Sequence, residues 1–366
     1  MLAALEGVLN GRASAFVPVP GDDPRQMELL TTALRVGEDI DDDVALVVST
    51  SGTTGTPKGA LLTVPALVAS ATATHDRLGG PGTWLLALAP HHIAGVQVLV
   101  RSVLAGTVPV ELDVSAGFDI AELPAAVEAM GSGRRYASLV ATQLAKALTD
   151  PAASAALSEL DMVLLGGGPA PLPVLEDAAA VGISVVRTYG MSETAGGCVY
   201  DGRPLDGVEV RIDDGRIVLG GATVAKGYRN PPNPDPFAEA GWFRTDDAGV
   251  LDSGVLRVLG RLDEAISTGG LTVLPQPVEA VLLTHPAIAD CAIFGVPDNR
   301  LGQRVVAAVA VAPGAVAPTL AELRAHVAQS LDSTAAPREL HVVDELPRRG
   351  IGKLDRRSLV KRFSGV

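Results

Sequence analysis

Cysteine is scarce in this chain: Cys198 and Cys291 are the only two in 366 residues. Two are too few for a disulfide framework, and their separation lacks metal-ligand spacing. A reducing cytoplasm is the expected setting. Long hydrophobic runs are missing as well. The longest uninterrupted one, Val305 to Pro313, falls far short of a membrane span. The N-terminus has no basic n-region and Glu6 interrupts its apolar stretch, so no signal peptide is expected. Positive charge is short too, with 29 Lys and Arg against 42 Asp and Glu and a formal net charge of −13. That balance argues against nucleic acid as a partner and makes any anionic ligand depend on local cationic clusters. One such cluster crowds the C-terminus: Arg348, Arg349, Lys353, Arg356, Arg357, Lys361 and Arg362.

What is present is an ordinary globular composition, 47% hydrophobic, in a chain long enough for two or more domains. From Val44 onward short apolar runs alternate with helical patterns. Val44–Val48, Trp84–Leu88, Val108–Leu112, Ala137–Val140, Met162–Leu165 and Ile183–Val186 read as strands, the first as a buried parallel one. Helices are expected near 64–78, 93–105, 120–130, 141–149 and 171–181. This alternation predicts an α/β, doubly wound, mostly parallel sheet, with ligands beyond the carboxyl ends of its strands. After Asp201 the pattern changes. Val208–Ile212 and Arg216–Leu219 flank an Asp-Gly turn and predict a hairpin, opening an antiparallel β subdomain. Beyond Arg261 a separate small α+β unit is expected. Its strands lie at Ala292–Val296, Val305–Val311 and Glu339–Val343, and a capping box, Thr319 and Glu322, starts a helix near 320–331. The expected domains are therefore 1–260 and 261–366.

The stretch around which these elements are arranged is Ser49-Thr-Ser-Gly-Thr-Thr-Gly-Thr-Pro-Lys-Gly59, at the end of the first strand. Its glycines let backbone N–H groups approach a phosphate, its hydroxyls donate to phosphate oxygens, and Lys58 adds a point charge. It is not a Walker A loop, because Pro57 stands where Gly-Lys-Ser/Thr is required. Further strings follow in order: Gly166-Gly167-Gly168; Arg187-Thr-Tyr-Gly-Met-Ser-Glu193; Gly241-Trp-Phe-Arg-Thr-Asp-Asp247; Gly260-Arg-Leu-Asp-Glu264; and Pro347 to Arg357.

In this order the strings resemble the adenylate-forming superfamily of acyl-CoA synthetases, peptide-synthetase adenylation domains and luciferases. The resemblance covers about residues 44–366 and implies that superfamily's fold, with a large N-terminal domain and a small mobile C-terminal lid. It implies ATP, Mg²⁺ and CoA as cofactors. Thr50, Ser51, Gly52, Thr53, Thr54 and Lys58 would line the phosphates, with Gly166, Gly167 and Gly168 on the adenine side. Tyr189 would stack on adenine, Ser192 would contact phosphate, and Glu193 would hold Mg²⁺ with Thr53. A carboxylate among phosphate ligands needs a hard cation between them. Asp247 would bind the ribose hydroxyls, Arg261 would contact nucleotide, and Asp263 would be the hinge. Gly269 and Gly270 would serve the CoA step, and Lys353 would be the catalytic lysine of adenylation. Asp246 departs from the pattern, standing where the superfamily has glycine. Only 48 residues precede Ser49, so a shortened N-terminal subdomain is expected, and a homodimer stands as a further expectation.

The acid is suggested by His92 and Arg101, with Gly190 as a third contact. Arg101 interrupts an apolar helix, and its charge needs a partner. That partner is either an internal carboxylate or a second carboxylate on the substrate. The segment from His92 to Gly106 resembles o-succinylbenzoate–CoA ligases of menaquinone biosynthesis, which implies a diacid substrate. Three alternatives stay open: a fatty or aromatic acyl-CoA synthetase, an adenylation enzyme loading a carrier protein, and a non-catalytic nucleotide-binding protein.

Overall fold

The computed structural model describes residues 1–50, 57–349 and 353–364, and the side chains of all of these except Arg349 and Lys353. Two compact units divide the chain. The first comprises Met1–Arg211, Val218–Thr245 and Leu251–Leu256; the second comprises Ile212–Ile217, Asp246–Val250 and Arg257–Val366.

The first unit opens with helices α1 (Leu2–Leu9) and α2 (Pro24–Ala33), the latter capped by Asp23. Strand β1 (Val44–Thr50) follows, then β2 (Lys58–Thr63). The two pair antiparallel, Thr50 opposite Lys58 and Val44 opposite Thr63, which corrects the expectation of a parallel strand. Burial on both faces has another cause here. Ala45, Leu46 and Val48 join Leu5 and Val8 of α1 in the main core, whereas Val44 and Val47 pack with Leu30 and Leu34 at α2. The approach of α2 is close: a Cβ on Gly59 would lie 2.5 Å from Val47 Cγ1 and 2.8 Å from Leu34 Cδ2. Arg229 holds the segment after α2 in place. Its guanidinium donates to the carbonyls of Leu34, Arg35, Glu38 and Asp39.

Helix α3 (Val64–Arg77) leaves β2 directly, with the Thr63 hydroxyl accepting from Ala66 N–H. A seven-stranded sheet then contains β3 (Thr83–Leu86), β4 (Val110–Glu111), β5 (Arg135–Val140), β6 (Met162–Gly166), β7 (Val185–Met191), β8 (Gly196–Tyr200) and β9 (Arg203–Pro204), ordered β4-β3-β5-β6-β7-β8-β9. Pairing is parallel from β4 through β7 and antiparallel onward to β9. Between β3 and β4 lies helix α4 (Ile93–Ala105), buried without interruption from Gly95 to Ser102 and ended by Gly106 at φ +67°. A helix buried on all sides belongs to a core, so one arginine within it is conspicuous.

Strands β10 (Val208–Asp213), β11 (Arg216–Gly221), β12 (Trp242–Asp252) and β13 (Val255–Arg261) form a four-stranded sheet in that order. The expected hairpin is present, with Asp214 at φ +50° and Gly215 at φ +79° giving the type I′ geometry that matches strand twist.

In the second unit β14 (Ile266–Thr268), β15 (Leu271–Val273), β16 (Ile288–Asp298), β17 (Gly302–Val311) and β18 (Glu339–Val342) make a five-stranded sheet. The apolar run at Val305 is the middle of β17, buried on both faces. Val305, Ala307 and Val309 face helices Pro275–Leu282 and Leu320–Val327, while Val306 and Ala308 pack with Leu359 of helix Arg356–Phe363. The capping box forms as expected, the Thr319 N–H donating to Glu322 Oε2 at 2.7 Å. Arg356 is clamped from three sides: Nε donates to the Ile293 carbonyl at 3.1 Å, Nη1 to Glu264 and Nη2 to Glu279, both at 2.7 Å. Among the described residues no helix is long and apolar enough to cross a membrane.

Candidate active site

Ser51, Gly52, Thr53 and Thr54 lie outside the described residues, but both ends of their loop are fixed by the β1–β2 pairing. Asn230 adds a clamp on the β2 side, donating to the Pro57 carbonyl at 2.8 Å and accepting from Gly59 N–H at 3.2 Å. At the β1 end, the Thr50 hydroxyl is buried and has no hydrogen-bond partner among the described residues. An orphaned donor at this point fits a phosphate oxygen. Lys58 places its ammonium 4.7 Å from the centroid of the Tyr228 ring.

The Tyr228 hydroxyl donates to Glu193 Oε1 at 2.5 Å, so Lys58, Tyr228 and Glu193 are brought together. Glu193 sits on a single 3₁₀ turn, Ser192–Thr194, at the end of β7. Thr194 secures that turn by accepting from Met191 N–H at 3.0 Å and donating to the Gly196 carbonyl at 2.8 Å. Glu193 is only 7% exposed. Among the described residues no group of three His, Cys, Asp or Glu converges on a metal position. Mg²⁺ is ordinarily held by one or two carboxylates together with substrate phosphates and water, so a single buried glutamate fits it.

The glycines and Tyr189 lie on the neighbouring ends of β6 and β7. A Cβ on Gly166 would meet Thr188 Oγ1 at 2.7 Å, and one on Gly190 would meet the Gly196 carbonyl at 2.1 Å. Gly190 is therefore required by the β7–β8 pairing whatever else it touches. Gly167 adopts φ +83°, and Gly168 has open space around it.

Helix α4 carries the residues expected at the acid. His92 is its exposed N-cap, with its ring 4.4 Å from that of His91. Arg101 lies nine residues on, about 13 Å along the axis, so the helix does not bring these two together. Arg101 is 4% exposed. Its Nε donates to the Gln97 carbonyl at 2.8 Å, and its guanidinium lies 4.0 Å from the Trp84 ring centroid. Among the described residues Nη1 has no partner and no carboxylate pairs with the group. Burial pushes its pKa down to about 10, with Tyr200 opposing, so it stays charged at neutral pH. Of the two partners expected for this charge, the internal carboxylate is not found among the described residues.

In the second unit Asp247 is 7% exposed on β12 and accepts from Arg261 Nη1 at 3.4 Å. Arg261 grips Asp263 with two bonds of 2.9 Å and reaches Asp246 at 3.6 Å. Burial lowers the guanidinium pKa, and Asp263, Asp247 and Asp246 more than offset it, leaving the pKa above its usual value. Asp246 also pairs with Arg216 at 3.2 Å, which gives this departure from the family pattern a structural partner. Gly269 and Gly270, at φ +59° and +80°, form the two-residue turn between β14 and β15. Lys353 stands in a short strand opposite Arg349.

Sequence reasoning missed Tyr228, Asn230 and Gln97. The first two lie 35 and 171 residues from the groups they serve, and no local spacing signals such pairs. Gln97 did carry a signal: it is the other strongly polar residue in an apolar helix, one turn before Arg101.

Residues 12–229 match the AMP-binding enzyme family, and residues 277–353 match the AMP-binding enzyme C-terminal domain. A Mycobacterium tuberculosis (strain H37Rv) protein named "Probable 2-succinylbenzoate--CoA ligase" is 71% identical over 369 aligned residues, spanning 100% of this chain and 95% of that protein. The 2-succinylbenzoate–CoA ligase of Geobacillus kaustophilus is 37% identical over 87% of this chain and 69% of its own length. Among solved structures, the o-succinylbenzoate CoA synthetase of Bacillus subtilis in complex with the acyl-adenylate intermediate OSB-AMP superposes with a TM-score of 0.76 at 28% identity. That match covers 98% of this chain and 81% of the other. An amide bond synthetase from Marinactinospora thermotolerans gives a TM-score of 0.79 at 28% identity, covering 89% of this chain and 71% of that one. The chain belongs to the AMP-binding enzyme family, the adenylate-forming enzymes.

Proposed function

We propose that this protein is an ATP-dependent, AMP-forming ligase that converts o-succinylbenzoate to o-succinylbenzoyl-CoA, a step of menaquinone biosynthesis. The acid's carboxylate attacks the α-phosphate of ATP and expels pyrophosphate, giving a mixed anhydride with AMP. The thiol of CoA then attacks the activated carbonyl and AMP leaves. Little covalent chemistry falls to the protein, so positioning and charge neutralisation carry the catalysis.

Glu193, with Thr53 of the phosphate loop, would hold Mg²⁺, which neutralises phosphate charge. The Tyr228 hydroxyl keeps the Glu193 carboxylate in one orientation. Lys353 acts on the charge that develops as the acid oxygen bonds to phosphorus. Asp247 and Arg261 serve the ribose end. Asp263 is the pivot from which residues 261–366 change position between the half-reactions, with Gly269 and Gly270 serving the second. A cytoplasmic location and a homodimer belong to the same proposal.

The observation that supports a diacid over a simple acid is Arg101. A guanidinium buried to 4% exposure, stacked on Trp84 and paired with no carboxylate of its own among the described residues, suits a carboxylate brought by the substrate. ATP–pyrophosphate exchange with a panel of acids tests this. The expected result is exchange with o-succinylbenzoate far above that with 3-benzoylpropanoate, which lacks the ring carboxylate, or with fatty acids. CoA should then accept the acyl group and a carrier protein should not. Equal exchange with the monocarboxylates would make a generic acyl-CoA synthetase the better reading. Lys353→Ala should slow acyl-adenylate formation by ~10²–10³ while sparing thioester formation from supplied acyl-adenylate. Equal damage to both half-reactions, measured separately, would remove Lys353 from this role.

A further inference from the structure

Gln97 is 3% exposed, and neither Nε2 nor Oε1 of its amide has a hydrogen-bond partner among the described residues. Leaving such an amide unpaired in a core is costly, and native proteins rarely do so without a use for it. Its surroundings show the same shortage. Arg101 Nη1, Trp84 Nε1 and His75 Nε2 are also buried and unpartnered among the described residues. The four side chains come from α3, β3 and α4; those of Gln97, Arg101 and Trp84 adjoin, and the Arg101 charge is near enough to His75 to help lower its pKa, after burial. Gln97 and Arg101 are one turn apart on the same face of α4 and joined by the bond from Arg101 Nε to the Gln97 carbonyl. Arg101 lies over Trp84.

The inventory is unbalanced. Arg101 Nη1, Trp84 Nε1 and Gln97 Nε2 can only donate, Gln97 Oε1 can only accept, and His75 Nε2 does either according to its tautomer. A donor-rich buried cluster calls for a ligand rich in acceptor oxygens. The backbone makes room for the glutamine beside it. A Cβ on Gly196 would approach Gln97 Cγ to 3.0 Å, so glycine at 196 leaves the Gln97 stem its place against the start of β8, next to the turn that bears Glu193.

We infer that Gln97 is a second recognition residue for the acid: its amide N–H donates to an acceptor oxygen of the substrate beside the carboxylate held by Arg101. Its Oε1 remains to accept from Arg101 Nη1, which holds the guanidinium edge-on toward the ligand. The inference rests on the diacid reading above and adds a contact to it. It also distinguishes oxygen-rich acids from apolar ones by hydrogen bonding as well as by charge. A site built to hydrogen-bond a polar group rejects an analogue lacking it, because its own buried donors are then left bare.

The experiment uses the full-length enzyme in pyrophosphate exchange, with KM for the acid and for ATP measured separately and Tm alongside. Gln97→Leu keeps most of the volume and removes the amide. The expected result is a rise of about 3- to 10-fold in KM for o-succinylbenzoate, the size of one neutral hydrogen bond, with KM for ATP unchanged and Tm unchanged or higher. A raised Tm with KM for the acid unchanged would overturn the inference, since the amide would then be only a buried cost. Gln97→Glu puts a carboxylate within the protein beside Arg101. Internal pairing should abolish use of the diacid, by 100-fold or more, while ATP still raises Tm. A Gln97→Glu enzyme that keeps its activity on the diacid would overturn the inference as well. Should Gln97→Leu not fold, unbranched Gln97→Met is read in the same way. If the parent itself ignores o-succinylbenzoate, the diacid reading fails. Gln97→Leu is then scored on the acid the parent does activate, where a raised KM upholds the contact and an unchanged one ends it.

Discussion

Arg101 in the first unit and Arg356 in the second are both guanidiniums withdrawn from solvent, and they have been satisfied in opposite ways. Arg356 has two carboxylates and a carbonyl around it, all from its own chain. Among the described residues Arg101 has one carbonyl, an indole face and an unpaired nitrogen. A buried charge met by internal counter-charges holds a fold together. One left without a counter-charge is kept where stability alone would not favour it, so its use lies with a ligand.

The same substitution at both positions breaks the comparison if it is wrong. Arg356→Met should have the largest effect, because it strands Glu279, whose side chain is 13% exposed, and the half-shielded Glu264. Breaking a buried pair from one side costs about 3–5 kcal/mol, which denaturant unfolding would read. The loss also depends on pH. Burial raises the pKa of Glu279 and Arg356 lowers it. A carboxylate with a raised pKa destabilises the fold once pH exceeds its unfolded value. Removing the arginine raises the pKa further, so the gap between parent and variant should narrow as pH falls from 8 toward 5. Arg356→Met combined with Glu264→Gln and Glu279→Gln should recover part of the loss.

Arg101→Met should do the reverse, unfolding no earlier than the parent but cutting kcat/KM for o-succinylbenzoate by roughly 10- to 150-fold, the value of a charged hydrogen bond. Arg101→Lys should recover only part of that, since an ammonium cannot copy a two-pronged contact. Loss of stability equal to that of Arg356→Met would erase the distinction between the two arginines. Asp246→Gly, which restores the family's residue, should matter least. Its side chain is 53% exposed, and surface pairs contribute about 0–1 kcal/mol. A Tm change of more than a few degrees, or one insensitive to salt, would give Asp246 more weight than its exposure allows.

Much of this was legible in the sequence, and the failures have physical causes. The α4 helix over 93–105 and the strands near Met162 and Val305 follow from hydrophobic patterns that tolerate only one burial arrangement. The direction of β1 does not. Val44–Val48 is apolar on both faces, and such a run reads alike whether its neighbour is parallel or antiparallel. Helix Pro151–Ser158 has a local signal that apolar periodicity does not carry: Asp150 accepts from Ala153 N–H at 2.8 Å, and proline follows at the first position, both standard start signals. The motifs named Glu193 and Lys58, but not the Tyr228 ring between them, because that contact exists only once β2 and the segment after β11 lie side by side.

Arg229 has a consequence for how this protein can vary among its descendants. Each bond its guanidinium donates to residues 34–39 ends on a main-chain oxygen, at Leu34, Arg35, Glu38 and Asp39. A main-chain acceptor is the same whichever side chain follows it. Substitutions at Glu38 and Asp39 can therefore accumulate without loosening that grip, provided the chain keeps its path. Arg35 has less latitude, because its own Nη2 donates to the Arg229 carbonyl, and position 229 has none. The acidic residues Glu38 and Asp39 are the replaceable partners in this contact. The distant single arginine is the part that heredity must keep.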